Sequence, residues 1–217
     1  MLHFEGDTGD HASEDPWKAV ASGKLAEIYR SAAEIFVQKG FDATSMNEIA
    51  AAVDLTKAGL YHYVRGKHEL LFAIMQFAMD VVDQKIVIPA QAIEDPEERL
   101  RFILDRHAGL TRYLKEISIL TDEVVALKPE HRQIVLERKR RYFEFVRETL
   151  RQLQHQKKLQ QLDVTVATLN LLATLLGIAR WYRADGRLSA EEIARQTREL
   201  LLHGLLRCEQ SAIPRKS

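Results

Sequence analysis

Residues 44–67 read TSMNEIAAAVDLTKAGLYHYVRGK, and this stretch decides the fold. Ser45 precedes an apolar run and Glu48 follows three residues later, a pattern typical of a helix that begins with a capping box. The segment Val53-Asp54-Leu55 turns the chain, and Thr56 can cap a second short helix of this stretch, which reaches about Tyr63. Two short helices joined by a tight turn predict a helix-turn-helix arrangement.

The second of these helices has a surface suited to an anionic polymer. Between Thr56 and Lys67 the chain carries three cations, two tyrosines, one histidine and no acid. Lysine and arginine attract phosphates, hydroxyl groups donate to them, and the small residues Ala58 and Gly59 allow close approach to base edges. The segment therefore predicts contact with double-stranded DNA.

The aromatic residues of this segment allow a second interpretation, in which they are ordinary half-buried side chains. We interpret Leu60 and Val64 as core residues. Tyr61, His62 and Tyr63 are consecutive and cannot all face inward from a helix, so we expect at least one to be exposed. A helical interaction protein without DNA contact is the rival reading, and it leaves the acid-free segment unexplained.

The rest of the chain predicts an all-α protein. Hydrophobic residues make up 46% of it, with only five prolines and ten glycines, which favours long helices around a substantial core. We expect a helix to follow Arg65-Gly66-Lys67, the fourth of the chain, and Pro89 to end it. We expect Pro129 to open the first turn of a later helix, Asp163 to open a very apolar helix, and Ser189 to open the last.

The charge balance is uneven along the chain. Residues 1–16 contain five acids and no lysine or arginine, whereas the whole chain is formally neutral, so the remainder is net basic. We interpret 1–16 as a disordered leader, 17–66 as the helix-turn-helix domain, 67–210 as the body and 211–217 as a flexible tail. The single cysteine, Cys208, and the lack of a signal peptide predict a reduced, cytoplasmic protein with no membrane segment.

The stretch from Lys24 to Leu71 resembles the head of the TetR family of transcriptional regulators, whose usual pattern is FxxxGFxxTSxxxIAxxxxxxKxxLYxYxxxKxxLL. The matching positions are Phe36, Gly40, Phe41, Thr44, Ser45, Ile49, Ala50, Lys57, Leu60, Tyr61, Tyr63, Lys67, Leu70 and Leu71. Two positions depart from the pattern. Asp54 stands where the turn commonly has glycine, and Val64 stands where phenylalanine is common; aspartate tolerates a left-handed backbone and valine remains apolar.

The resemblance implies a three-helix DNA-binding head on a helical-bundle body that binds a ligand and dimerises. The phosphate contacts implied by position are Thr44, Ser45, Tyr61, Tyr63 and Lys67. The implied base-reading positions are Thr56, Lys57, Ala58, Gly59 and His62. Lys57 could donate to guanine in the major groove, and His62 could contact either a base or a phosphate.

The resemblance also implies a homodimer formed by the last two long helices, released from an inverted-repeat operator by a small effector. The sequence supports the dimer independently, because the helix from Asp163 to about Tyr182 is apolar almost all round and the last helix carries leucines on several faces. The alternative is a deep core within one chain. A two-fold dimer would read an inverted repeat, and we expect a repressor, with activation as the alternative.

The sequence says less about the identity of the effector. The segments LKPEHR, RKRRYFEFV and ARWYRADGRLSAEEIA resemble the TetR branch that responds to acyl-CoA thioesters. Such a ligand needs cations for its phosphates and an apolar tunnel for its acyl group. Candidate cations are Arg138, Arg140, Arg141 and Arg147, and candidate apolar residues are Phe102, Phe143, Trp181 and Tyr182. The alternative for the cations is a solvated basic helix face, and the alternative for Trp181-Tyr182-Arg183 is a helix-end packing motif. For the ligand, the alternative is a plain hydrophobic or aromatic effector.

An enzyme is disfavoured. The histidines are scattered, Cys208 has no recognisable partner, and Gly66-Lys67-His68 lacks the spacing and hydroxyl of a phosphate-binding loop. We therefore predict no catalytic residues, no metal and no cofactor.

Overall fold

The computed structural model describes residues 23–108, 110, 118–119, 123–183 and 185–206. The predicted leader (1–16) and tail (211–217) lie outside these residues. Within them the chain is helical, apart from turns and an isolated bridge between Leu159 and Leu206, so the all-α prediction is confirmed.

Among the described residues, three helices form the N-terminal head and six lie in the body. The head helices are α1 (Lys24–Lys39), α2 (Met46–Ala52) and α3 (Lys57–Tyr61). The body helices are α4 (Lys67–Val82), α5 (Ile88–Gln91), α6 (Pro96–Ala108), α7 (Pro129–His155), α8 (Val164–Trp181) and α9 (Ala190–Leu205). A single 3₁₀ turn, Val124–Ala126, precedes α7.

Helix starts follow the capping chemistry of the sequence. Ser45 and Glu48 form the predicted capping box at α2, and the Thr56 hydroxyl accepts from the Gly59 amide at α3. The Asp163 carboxylate and the Ser189 hydroxyl accept from amides in the first turns of α8 and α9. These side chains satisfy amides that would otherwise lack a partner, which fixes where each helix begins.

The prediction that Pro89 ends the fourth helix is wrong. The helical path continues from α4 through a π-helical turn, Asp83–Val87, and then α5, which ends at Gln91. Pro89 lies in the first turn of α5. A proline there is tolerated because the first amides of a helix have no intrahelical partner. By contrast, Pro129 opens α7 as predicted.

The head is held by a small apolar core that continues into the body. Ile49 and Val53 of the α2 region and Leu60 of α3 are fully buried, and Val64 is also buried. Asp54 has φ 53°, the left-handed conformation that the turn requires and that aspartate tolerates. Both departures from the family pattern are thereby accommodated.

In the body, α6 packs against α7 and α9, and α7 also packs against α8 and α4. Helix α8 leaves much of its apolar surface uncovered. The helix is strongly apolar, with a mean hydropathy of 1.4. Even so, its residues Val166 and Leu169 are each 54% exposed to solvent. Among the described residues, α8 is the one helix whose length and composition would suit a membrane span. The same properties suit a helix that packs against another protein surface.

Candidate functional site

The outer face of α3 carries the residues predicted to read DNA. Thr56, Lys57, Ala58, Tyr61, His62 and Tyr63 are exposed, and Gly59 is half-buried. Leu60 and Val64 point into the core, as predicted. The expectation that at least one of the three consecutive aromatic residues is exposed is confirmed, since all three are. The helix therefore presents hydroxyls, a lysine and a histidine to solvent on one short, acid-free segment.

Helix α3 has only five residues and depends on its surroundings for stability. The Thr56 hydroxyl accepts from the Gly59 amide at 3.0 Å. A Cβ on Gly59 would lie 3.3 Å from the same hydroxyl oxygen and 3.7 Å from Leu55 Cδ2. Glycine at this position therefore lets the helix begin close to its cap, and the burial of Leu60 fixes its orientation.

The two predicted phosphate contacts before α2 lie in different environments. Ser45 is exposed, and its Oγ accepts from the Glu48 amide at 3.2 Å, so its hydroxyl proton can still be donated outward. Thr44 is 2% exposed and its hydroxyl donates to the Gly40 carbonyl at 2.8 Å. This geometry supports a phosphate contact for Ser45 and gives the Thr44 hydroxyl a structural role.

Lys67 opens α4 and its ammonium group is directed at the turn between α1 and α2. The Nζ atom lies 2.8 Å from the carbonyl oxygens of both Phe41 and Thr44 and 3.4 Å from that of Asp42. It also lies 4.3 Å from the centre of the Phe41 ring. All three N–H donors of the ammonium thus have partners within the chain. The phosphate contact of Lys67 stays a prediction that this geometry does not support.

Sequence reasoning missed Glu123, which belongs to the body but contacts the head. Its Oε1 accepts from the Phe41 amide at 3.2 Å, across 82 positions of sequence. No local pattern marks such a residue, because the contact depends on how the segment before α7 lies against the head.

Two acids of the head and the start of α4 are paired within the chain. Glu48, in the first turn of α2, receives a bond from Lys39 and one from the Ser45 amide, and Lys39 followed by that amide lowers the pKa of its carboxyl. Glu69, in the first turn of α4, is bound by Lys128 at 2.8 Å, which lowers its pKa. These pairs offset acidic charge that would otherwise repel a nucleic-acid backbone.

In the body, the predicted apolar residues Phe102 and Phe143 are half-buried on α6 and α7, two helices that pack together. Each has an arginine above its ring: Arg106 lies 4.9 Å from the centre of Phe102 and Arg147 lies 5.8 Å from the centre of Phe143. Arg147 also pairs with Glu144 at 2.5 Å. The pair Arg106 and Phe102 includes a cation that was not predicted.

Arg138, a predicted ligand-binding cation, lies in an ion-pair network. Its guanidinium lies 2.7 Å from an Asp80 oxygen and 2.6 Å from an Asp83 oxygen, and its side chain is only 12% exposed. Because two carboxylates already bind it, this geometry does not support a phosphate contact for Arg138, and that role stays a prediction. Arg140 and Arg141 are exposed on α7, in keeping with the alternative reading of a solvated basic face.

The predicted aromatic residues at the end of α8 are not brought into the body interior. Trp181 is 57% exposed. Tyr182 is half-buried and its amide donates to the Ile178 carbonyl at 2.9 Å. This arrangement resembles the helix-end packing that the sequence also allowed.

A buried polar pair joins α6 to α7. His107 Nε2 is hydrogen-bonded to the Tyr142 hydroxyl, and both side chains are buried. Burial lowers the pKa of His107 to about 4 and raises that of Tyr142, so both are neutral near pH 7. Sequence reasoning missed this pair because neither residue is distinctive until the helices pack. Within the described residues, no group of three or more His, Cys, Asp or Glu side chains could hold a metal ion.

Comparison with protein families matches most of the described chain. Residues 28–74 match the model of bacterial regulatory proteins of the tetR family, and residues 94–205 match that of the tetracyclin repressor-like C-terminal domain. The second match alone spans more than half of the sequence.

Similar proteins include regulators of transcription. The HTH-type transcriptional repressor KstR2 of Rhodococcus jostii is 25% identical over 187 residues, which cover 85% of this chain and 92% of that protein. The crystal structure of AibR in complex with isovaleryl coenzyme A and operator DNA has a TM-score of 0.77 and 37% identity, covering 83% of this chain and 98% of that one. The ketosteroid regulator KstR2 of Mycobacterium tuberculosis shares the fold, with a TM-score of 0.81 at 21% identity.

The helix-turn-helix head, the helical body and both domain matches agree. The chain therefore belongs to the TetR family of DNA-binding transcriptional regulators and is not an enzyme.

Proposed function

We propose that this regulator is a repressor that binds an inverted-repeat operator as a homodimer and is released by an acyl-CoA thioester. The observation that carries the DNA-binding half is the exposed, acid-free face of α3. Lys57 and His62 would read base edges, while Ser45, Tyr61 and Tyr63 would donate to phosphates. Because operator DNA is in the bacterial cytoplasm, we place the protein there.

The dimer is supported by the uncovered face of α8 and α9. On α8, Val166, Leu169 and Ala173 are exposed at helical spacing, and a Cβ on Gly177 would meet no atom within 4 Å. On α9, Leu200 is 71% exposed. An apolar surface of this kind, with small residues that permit close approach of helices, suits a two-fold helix-to-helix interface.

Selection of bound sequences from a random DNA pool tests this proposal. A two-fold dimer should recover an inverted repeat whose half-sites are centred about one helical turn apart, roughly 10 base pairs, or a multiple of it. Lys57→Ala should relax the preference at one position of each half-site. Recovery of a single, unrepeated site would contradict a dimer that reads both half-sites.

The ligand class is supported by AibR, which was solved with isovaleryl coenzyme A and operator DNA. In this chain, we propose that the acyl group lies between α6 and α7, against Phe102 and Phe143. The neutral pair His107 and Tyr142 would supply a polar contact, for example to the thioester carbonyl. Arg106 and Arg147, each already close to one of the rings, would face the phosphates of the CoA moiety.

A plain hydrophobic or aromatic effector is the second candidate. It is favoured by the pairing of Arg138 with Asp80 and Asp83, which removes one of the cations expected for CoA phosphates.

Thermal unfolding of the full chain with matched ligands separates the two candidates. Isovaleryl-CoA, longer acyl-CoA thioesters, free CoA and the corresponding free acids would be compared at equal concentration. Stabilisation by thioesters alone supports the proposal, because a ligand that binds the folded state raises the unfolding temperature. Stabilisation by the free acids to the same extent would favour the second candidate.

Release from the operator would follow if the ligand binds one state of the dimer more tightly than the other. A ligand that favours one spacing of the two heads shifts the dimer away from the spacing that fits successive major grooves. Helix α4, which begins at the head and packs against α7, would carry that change from the body.

A further inference from the structure

We propose that Glu123 and Lys67 together clamp the turn Phe41–Thr44 between α1 and α2, and that both are positioning residues for DNA binding. Glu123 holds the turn from the segment before α7, and Lys67 holds it from the start of α4. The inference rests on the DNA-binding function of the head. It adds a second point, besides α4, at which the body fixes the head.

The two side chains bond to the turn at complementary groups. Glu123 accepts from the Phe41 amide at 3.2 Å. Lys67 donates to the carbonyls of Phe41 and Thr44 at 2.8 Å. An anion thus satisfies the backbone donor and a cation satisfies the backbone acceptors, and hydrogen bonds to charged groups are stronger than neutral ones.

The turn is also fixed by packing. Phe41 is 3% exposed, and its ring lies 5.4 Å from the ring of Phe36 and 5.0 Å from that of His68. Gly40, immediately before it, has φ 81°, and a Cβ there would lie 3.8 Å from Glu123 Oε1. The carboxylate of Glu123 therefore lies close to Gly40 as well as to the Phe41 amide.

The position of this turn matters for DNA because Ser45 and α2 follow it directly. Ser45 is the exposed N-cap of α2, and α2 packs against α3. A shift of the turn would move the phosphate contact and the brace of the reading helix together. Small displacements of recognition groups cost affinity because their hydrogen bonds depend on distance and angle.

A purely electrostatic effect of Glu123 and a positioning role predict opposite changes in DNA affinity when its side chain is removed. If the residue acted only through its negative charge, Glu123→Ala would strengthen binding to polyanionic DNA. The clamp predicts the reverse: binding about tenfold weaker, because the Phe41 amide loses its acceptor. Glu123→Gln, whose side-chain oxygen can still accept, should stay within about threefold of the wild type.

The experiment measures the dissociation constant of the full chain for its selected operator by fluorescence anisotropy. Glu137→Ala, at an exposed acid on α7, is the matched control and should bind at least as tightly as the wild type. Weakening by Glu123→Ala, with recovery in Glu123→Gln, supports the clamp. Unchanged or tighter binding by Glu123→Ala, or equal weakening by both variants, overturns it. A wild type that binds no DNA would instead overturn the DNA-binding function.

The salt dependence of binding tests Lys67 separately. A lysine that neutralises a phosphate contributes about 0.9 to the slope of log K against log salt. Lys67→Met keeps the apolar stem but loses all three donors. The clamp predicts weaker binding with an unchanged slope, whereas Arg65→Ala, at an exposed cation, should lower the slope. A loss of about one phosphate contact in Lys67→Met would return Lys67 to the role implied by the family pattern and overturn its part in the clamp.

Discussion

At the scale of single residues, folding changes the protonation chemistry of His107. It is buried against Tyr142 between α6 and α7, and burial lowers its pKa to about 4. The unfolded chain binds a proton on this side chain more readily than the folded chain does between pH 4 and 6.5. Stability therefore rises with pH across this window, is fully present above pH 6.5, and is lost as the pH falls toward 4.

We predict that the wild type loses roughly 2 kcal/mol of unfolding free energy through His107 between pH 7 and pH 5. His107→Gln, which cannot take up a proton, should be less stable at pH 7 but should lose less on acidification. Urea unfolding at the two pH values measures this difference. His155→Gln, at an exposed position, is the control and should leave the pH dependence as it is. The same pH dependence in His107→Gln as in the wild type would contradict the assignment.

At the scale of helices, the contact between α4 and α7 is polar as well as apolar. Arg138 of α7 bridges Asp80 of α4 and Asp83 of the π-helical turn, while Lys128 bonds to Glu69 near the head. Near Lys128, the His131 ring stacks on that of Phe72, with centres 3.9 Å apart. These contacts follow α4 from the head toward the middle of the body, so α7 and α4 are expected to move as a unit.

Arg138→Ala should destabilise the protein by about 1 kcal/mol, because the two carboxylates keep partial access to water. The same variant should leave the affinity for an acyl-CoA thioester within about threefold of the wild type, since the guanidinium is held by α4. Isothermal titration and urea unfolding give the two quantities, and Arg147→Ala is the comparator that should lose ligand affinity. Loss of ligand affinity in Arg138→Ala greater than in Arg147→Ala would restore Arg138 to the ligand site.

Sequence prediction succeeded for helices where local chemistry decides, and failed where distant residues do. Ser45, Thr56 and Asp163 were identified as helix starts because a cap acts within three residues of itself. Pro89 was wrongly predicted to end the helix because a π-helical turn lets the helical path continue past it. The stability of that turn comes from packing, which a local pattern does not show. Lys67, Arg138 and Glu123 have partners 23 to 82 positions away, so their roles depended on the assembled structure.

At the scale of the whole molecule, the uncovered face of α8 and α9 predicts a dimer that is required for tight operator binding. Leu169→Glu places a charge on that face and should convert the protein to monomers in sedimentation velocity. Because a monomer engages one half-site, operator affinity should fall by at least about a hundredfold. Leu136→Glu, at a leucine of α7 that is 48% exposed, is the matched control and should remain dimeric. A dimeric Leu169→Glu variant would place the interface elsewhere.

The proposed switch couples the body to the head: an effector bound in the body changes how well the two heads of the dimer fit DNA. The most direct measurement is the dissociation constant for the selected operator, at one fixed salt concentration, with and without saturating isovaleryl-CoA or the acyl-CoA thioester that stabilises the protein most. We expect the thioester to weaken operator binding by at least about tenfold, within the usual range of allosteric coupling, and free CoA to have no such effect. Equal operator affinity in the ligand-free and thioester-saturated protein would contradict the account.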